Sequence, residues 1–334
     1  MRLENILALT HGTLVNEPFV HEFENVVFDV KVVKRGDLFV AFDESSIQEA
    51  IEAGAYGIMF SKPTQICDSE IAWIKVENLD EALKRVLRFR LIDKEIVAFE
   101  CDEIILKLAL GIMSETNFLA LYGDIKSLFK KLWEIPSGTL VLFSPAQISR
   151  DIFTNIQKLS SNPQQKITII EQTLFETSFI YDDVFYERQL ISPFFIPYLE
   201  LLFHLFKRHN INFRLRKLAQ IDNFEPVFTN KNLEIKEFGT SDKVLIFEKN
   251  SDLIDMQIDF LQKEARWAKL LYLLPHTYSS SKHSKNNNVI IYKNINDINN
   301  ILRAHTFHFA LIVGADKSIL EKPLAKQVQL RLDF

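Results

Sequence analysis

The sequence predicts an α/β fold, and three observations predict it. The stretch from Val26 to Pro63 reads as strand, turn, strand, helix, strand. Its strands are the Val- and Phe-rich runs Phe28–Val33, Leu38–Phe42 and Tyr56–Phe60, the first two joined by the polar turn Lys34-Arg35-Gly36-Asp37. Within it, Ile47, Ala50, Ile51 and Ala53 recur at helical spacing, and Gly54 stands where a helix C-cap glycine belongs. The same alternation of short apolar runs and amphipathic stretches continues along the chain, as a largely parallel sheet with crossover helices requires.

A chain of 334 residues has room for two or three domains, and 47% hydrophobic residues supply a sizeable core. A net charge of −5 weighs against a general nucleic-acid binder. The two cysteines, Cys67 and Cys101, are isolated, which excludes a disulfide framework or a Cys-based zinc site and fits a reducing cytosol. Ile6–Leu9 is too short an apolar run for a secretory signal. Leu190–Phe206 is strongly apolar, but it carries two prolines, Glu200 and His204 and falls short of the roughly 20 residues a membrane span needs. It reads as a buried helix starting near Pro197, so no span is expected.

The remaining elements follow in order. Ala72–Val76 is a strand, and Leu79–Arg90 is an amphipathic helix with Leu79, Leu83, Val86 and Leu87 on one face. Lys84, Arg85, Arg88 and Arg90 form its solvated side. Ile96–Phe99 is a strand and Ile104–Met113 an apolar helix. Phe118–Gly123, Ser127–Trp133 and Thr139–Phe143 read as strand, helix, strand, and Gln147–Leu159 as a helix before the polar loop 160–165. Ile167–Ile170 and Phe179–Ile180 are strand-like, Pro197–His209 is a helix, and Leu215–Ile221 a short one. Val244–Phe247 is a strand before the helix Asp252–Glu264. The last part alternates strand Lys269–Leu274, a Ser/Lys/Asn-rich loop, strand Val289–Tyr292, helix Ile295–Ala304 and strand Phe309–Val313, after which Gly314-Ala315-Asp316-Lys317-Ser318 opens another helix.

One set of spacings carries a resemblance. Asp29-Val30-Lys31 precedes Gly36-Asp37-Leu38-Phe39-Val40-Ala41, and Ala50 through Ala55 reads Ala-x-x-x-Gly-Ala. This resembles the N-terminal domain of the Mur ligases, the amide-bond-forming enzymes of bacterial peptidoglycan precursor synthesis, and most of all the branch that adds D-alanyl-D-alanine. That family reads Asp-Ser/Thr-Arg, four residues, then Gly-Asp-Leu-Phe-Val-Ala. Here Val30 and Lys31 replace the Ser/Thr and Arg, and Asp43-Glu44-Ser45-Ser46 stands where the family has Asp-Gly-His. The resemblance implies a three-domain architecture: a small N-terminal α/β domain over residues 1–92, a reduced central P-loop-type domain over 93–264, and a short Rossmann-like domain over 265–334. It also implies that a small ligand, a uridine-nucleotide sugar, would lie beside Asp29, Lys31, Gly36 and Asp37.

The strand–loop–helix at 96–113 corresponds to the family's P-loop. Aligning Val97-Ala98-Phe99 with its Ile-Ala-Ile places Cys101 and Ile104 at the two glycines, Ile105 at the lysine and Leu106 at the magnesium-binding threonine. A P-loop works because glycines let backbone N–H groups close around phosphates while Lys neutralises them and Ser/Thr holds Mg²⁺. None of these parts is present, and Glu100, Asp102 and Glu103 add three carboxylates where a triphosphate would sit. The family's glutamate at the end of the strand that matches Thr139–Phe143 is also missing, replaced by Ser144-Pro145. Its paired asparagines become Asp124-Ile125-Lys126, and its Gly-Arg after Phe-x-Pro-Val becomes Thr229-Asn230.

Other candidate chemistry is sparse. His204 and His209 do not share a helix face, His305 and His308 lack a third ligand, and Asp182-Asp183 reads as adjacent strand residues on opposite faces. Lys207, Arg208, Arg214, Arg216 and Lys217 form the densest basic cluster and read as a solvated face. The leading expectation is therefore a cytoplasmic, non-catalytic Mur-ligase homologue with no catalytic residues, no metal and no cofactor. It would bind a uridine-nucleotide sugar precursor or a cell-wall synthesis protein. The alternatives are an active ATP-dependent ligase with a rebuilt nucleotide site, and a scaffold that uses only its surfaces.

Overall fold

The structure, a computed structural model, describes residues 1–114, 117–145, 148, 150–159, 166–215, 218, 221–241, 243–278 and 288–320. The chain divides into two compact units, one formed by residues 1–106 with 114–160 and the other by 107–113 with 161–334.

The first unit opens with helix α1 (Leu3–Thr10) and strands β1 (Thr13–Leu14), β2 (Val26–Val27) and β3 (Leu38–Ala41). Helix α2 (Ile47–Glu52), strands β4 (Gly57–Phe60) and β5 (Ala72–Lys75), and helix α3 (Leu79–Leu91) follow. The strands form one sheet in the order β1-β5-β4-β3-β2, parallel except for β1. β3 and β4 are buried on both faces, as the unbroken apolar runs Leu38–Ala41 and Ile58–Phe60 require. One face packs Phe39, Ile58 and Trp73 against Ile47 and Ala50 of α2. The other packs Leu38, Val40, Met59 and Ile74 against α1 and α3.

The first expected strand, Phe28–Val33, is shorter and earlier than its composition suggests. Asp29 accepts a hydrogen bond from Lys31 N at 3.0 Å and turns Val30–Val32 into a 3₁₀ turn. A local side-chain bond there defeats the β-propensity of the valines.

The chain continues with β6 (Val97–Glu100), helix α4 (Glu103–Leu110), β7 (Met113–Ser114), β8 (Phe118–Leu121), helix α5 (Ile125–Trp133), β9 (Leu140–Phe143) and β10 (Ile156–Lys158), of which residues 107–113, from within α4 to the start of β7, belong to the second unit and the rest to the first. A second parallel sheet runs β10-β6-β9-β8. The expected helix over Gln147–Leu159 is not formed. Arg150–Ile152 is a 3₁₀ turn, and Ile156–Lys158 pairs with Ala98–Glu100 as an edge strand. A free strand edge competes successfully with weak helical periodicity here. Ala98, Val141 and Phe143 of this sheet share one core with Val86, Leu87 and Leu91 of α3 and with Met59 and Ile74 of the first sheet. Near Ile92, where a break is expected, the two sheets are thus joined through α3.

The second unit begins with a meander of β11 (Thr168–Gln172), β12 (Thr177–Tyr181) and β13 (Val184–Gln189). Asp182 and Asp183, expected inside a strand, form the two-residue hairpin turn with φ of 50° and 62°. This left-handed pair suits Asp and matches the twist of the flanking strands. Helix α6 (Ile196–Arg208) buries Leu199, Leu202, Phe203 and Phe206, as its apolar stripe predicts, and the short strand β14 (Phe213–Arg214) follows it. Most of the short helix expected at Leu215–Ile221, with Arg216 and Lys217, lies outside the described residues, as do the loops 160–165 and 279–287. Among the described residues, no helix is long and apolar enough to cross a membrane.

The last sheet contains β15 (Glu225–Thr229), β16 (Lys243–Glu248), β17 (Leu270–Pro275), β18 (Val289–Tyr292) and β19 (Phe309–Val313), in the order β15-β16-β19-β17-β18. Helices α7 (Ile254–Glu264) and α8 (Ile298–Ala304) are its crossovers. β16 pairs in parallel with β19, so strands on both sides of Glu264 belong to one sheet, and the expected break there falls inside it. Beyond Gly314, Lys317–Leu320 is a 3₁₀ turn rather than the start of a described α-helix.

Candidate functional site

Two places in the first unit correspond to the sequence expectations. The first is a groove of about 900 Å³ beside the end of β2 and the start of α5. Asp29, Lys31 and Asp37 line it; Gly36 does not. The two carboxylates work on their own backbone. Asp29 closes the turn before Lys31, while Asp37 is buried and accepts from Lys34 N at 2.9 Å and from Asn25 Nδ2 at 3.1 Å. Gly36, at φ 98°, permits this loop, because a Cβ there would meet Glu24 Cγ at 2.9 Å.

Much of the groove's charge comes from a helix that sequence reasoning did not place there. α5 contributes Lys126, Lys130, Phe129 and Trp133, which recur four apart and so share a helix face in pairs. Asp124 caps this helix by accepting from Ser127 N at 2.9 Å, and that bond, with the one from the Ser127 side chain, holds its carboxyl below the usual range. Phe129 stacks on Trp133 with centroids 5.1 Å apart and meets Phe28 edge-on at 5.0 Å. Lys126 Nζ lies 4.2 Å from the centre of the Phe42 ring. Four lysines, Lys31, Lys34, Lys126 and Lys130, thus line a cleft with an aromatic wall, and two of its three carboxylates already hold backbone amides. Such a surface suits an anion attached to a flat or apolar group. The Lys/Lys and Phe/Trp pairs at four-residue spacing in α5 were the available signal.

The second place is the junction of β6 and α4. Only Cys101 and Asp102 separate the end of the strand from the first helical residue, Glu103. Ile104, Ile105 and Leu106 are buried in the helix, and Leu106 N bonds Asp102 O at 3.2 Å. Cys101 is buried and its N–H donates to Phe143 O at 2.9 Å; burial, and then the neighbouring Asp102 and Glu100 charges, push its thiol up to about 12. Glu100 is held by Arg150 at 2.7 Å.

In the second unit, Glu248 is fully buried at the carboxyl end of β16. It accepts from Asn223 Nδ2 at 2.8 Å, Phe224 N at 3.1 Å and Asn250 N at 2.7 Å. Lys107 joins this network through Asn223 Oδ1 at 2.9 Å and Asp222 at 2.7 Å. The carboxylate has its donors from the protein, which marks it as a fixture of the strand end. No group of three His, Cys, Asp or Glu residues is placed to hold a metal among the described residues.

No protein-family model and no curated protein matches the sequence. Solved structures do match in fold. Two crystal structures of MurF from Acinetobacter baumannii superpose with TM-scores of 0.55 and 0.52 at 9% and 8% identity, each over 96% of this chain and 99% of the other. MurF ligase from Thermotoga maritima, in complex with ADP, gives 0.50 at 11% identity over 89% of this chain and 95% of that one. The chain therefore has an α/β fold of several parallel and mixed sheets, similar to MurF ligases over nearly its full length.

Proposed function

We propose that this protein is a non-catalytic Mur-ligase-like binding protein, cytoplasmic, that takes a uridine-nucleotide sugar of peptidoglycan precursor synthesis in the groove of its first unit. The observation that carries the binding half is the groove itself: four lysines beside the Phe28, Phe129 and Trp133 rings, around the positions where the resemblance puts the ligand. A uridine diphosphate sugar offers what such a surface takes, a pyrophosphate for the lysines and a planar base for the rings. The non-catalytic half rests on the β6–α4 junction. Its two residues leave little loop for a nucleoside triphosphate, its helix start is filled by buried Ile104, Ile105 and Leu106, and Asp102 adds a negative charge that disfavours a polyanion.

The test is calorimetric titration with a uridine-diphosphate amino sugar, for the wild-type protein and for Lys31→Ala and Lys130→Ala. Saturable heat that weakens in both variants supports the reading. Absence of heat at about 1 mM ligand, which excludes a site of sub-millimolar affinity, ends it.

A further inference from the structure

The second unit contains a pocket that the proposed function does not use. It is about 460 Å³ in volume and lies at the amino-terminal ends of β16 and β19, lined there by Val244 and Phe309. This is opposite to the carboxyl ends at which open α/β sheets usually bind ligands. Its walls are aromatic. Phe228 of β15 lies 4.8 Å from Phe238 and 6.0 Å from Phe175, which in turn is 6.1 Å from Phe309. Trp267, in the turn after α7, stands edge-on to Phe309 at 5.9 Å and beside His308 at 5.7 Å.

Two of these rings are costly to leave in water. Trp267 is 73% exposed and Phe238 40% exposed, both lining one concave surface. Among the described residues the charge of the lining has a single sign: Glu176 and Glu264 line the pocket, and no described lysine or arginine does. Arg188 and Lys263 approach these carboxylates, at 3.4 and 3.1 Å, but both are largely solvent-exposed and stand outside the lining. Gln172 Nε2 donates to Glu264 at 3.2 Å and orients it. His308 Nδ1 accepts from Lys269 N at 2.8 Å, which ties this ring to the backbone at the pocket's edge.

We propose that this pocket binds a small organic cation, an alkylated ammonium compound, seated against Trp267 and the Phe228–Phe238–Phe309 wall with Glu264 and Glu176 as counter-charges. Aromatic faces attract a cation through their quadrupole, and the attraction strengthens where water is excluded. The volume is that of a small-molecule site. The hydrocarbon of an alkylammonium would cover the exposed rings, while its charge would complement the carboxylates.

The experiment is a titration of the full chain with choline and with 3,3-dimethyl-1-butanol, its uncharged isostere, followed by NMR or calorimetry. Choline should bind and the isostere should bind at least about tenfold more weakly, the discrimination a cation–π and carboxylate site provides. Trp267→Ala and Glu264→Gln should each weaken choline about five- to tenfold. Trp267 is exposed and Glu264→Gln keeps its shape, so both variants should melt like the wild type, which separates loss of binding from loss of fold. Equal binding of the two probes, an unchanged choline affinity in both variants, or no choline binding at about 50 mM would overturn the proposal. None of these outcomes depends on the groove of the first unit.

Discussion

Arg150 Nε lies 2.7 Å from Glu100 Oε2, at the end of the strand where a phosphate-binding loop would begin. The pair places a carboxylate and its own counter-ion at the site a triphosphate would need to enter. Arg150 is more than half exposed, so the ion pair is screened, and Glu100→Gln should lower stability by less than about 1 kcal/mol. Thermal melts of the variant check this. A loss well above that amount would make the pair a structural fixture of the junction.

Gly57 opens β4 with no room for a side chain. A Cβ there would meet Phe23 Cε1 at 2.6 Å and Leu38 Cδ1 at 3.0 Å, inside the core of the first sheet. Gly57→Ala should therefore cost about 1–3 kcal/mol, the usual price of overpacking. Denaturant unfolding reads it directly, with a shifted midpoint and an unchanged slope.

Cys101 and Cys67 should behave oppositely toward alkylation. Cys67 is exposed; Cys101 is buried, and its thiol is raised to about 12 by burial first and then by Asp102 and Glu100. At pH 8 iodoacetamide should modify one cysteine in the native protein and both after unfolding, as counted by mass spectrometry. The linked effect on stability has a definite sign. The unfolded chain gives up this proton near its ordinary value of 9.0, the folded one near 12, so the Cys101 contribution is complete below 9.0 and declines across that interval.

Much of the fold was legible in the sequence, and the misses have physical causes. The unbroken apolar runs Leu38–Ala41 and Phe309–Val313 announced buried parallel strands, and α3 and α6 carried clean apolar stripes. β10 was not legible, because its pairing with β6 joins residues nearly 60 apart and local periodicity holds no trace of it. Asp29 and Asp37 were found by spacing, yet their carboxylates serve the backbone of the groove wall. Lys126, Lys130 and Trp133 were missed because only tertiary packing brings α5 to that wall.

Glu248 is fully buried and accepts four hydrogen bonds, from Asn223, Phe224, Asn250 and Gln257. Glu248→Ala removes the acceptor for Asn223 Nδ2 and for the Phe224 and Asn250 amides. Stranding buried donors in this way should cost about 3 kcal/mol or more. A melting temperature unchanged from the wild type would show that these groups find water instead.

Equilibrium dialysis with Mg-ATP tests the central claim most directly. The β6–α4 junction lacks a loop, a lysine and a hydroxyl, and carries Glu100, Asp102 and Glu103 in their place. The expected result is no retained nucleotide at about 1 mM Mg-ATP, for the wild type and for Glu100→Gln alike. Binding at about micromolar concentration that vanishes when Glu100 or Asp102 is changed would contradict the claim, because it would mean that the junction has been rebuilt into a nucleotide site.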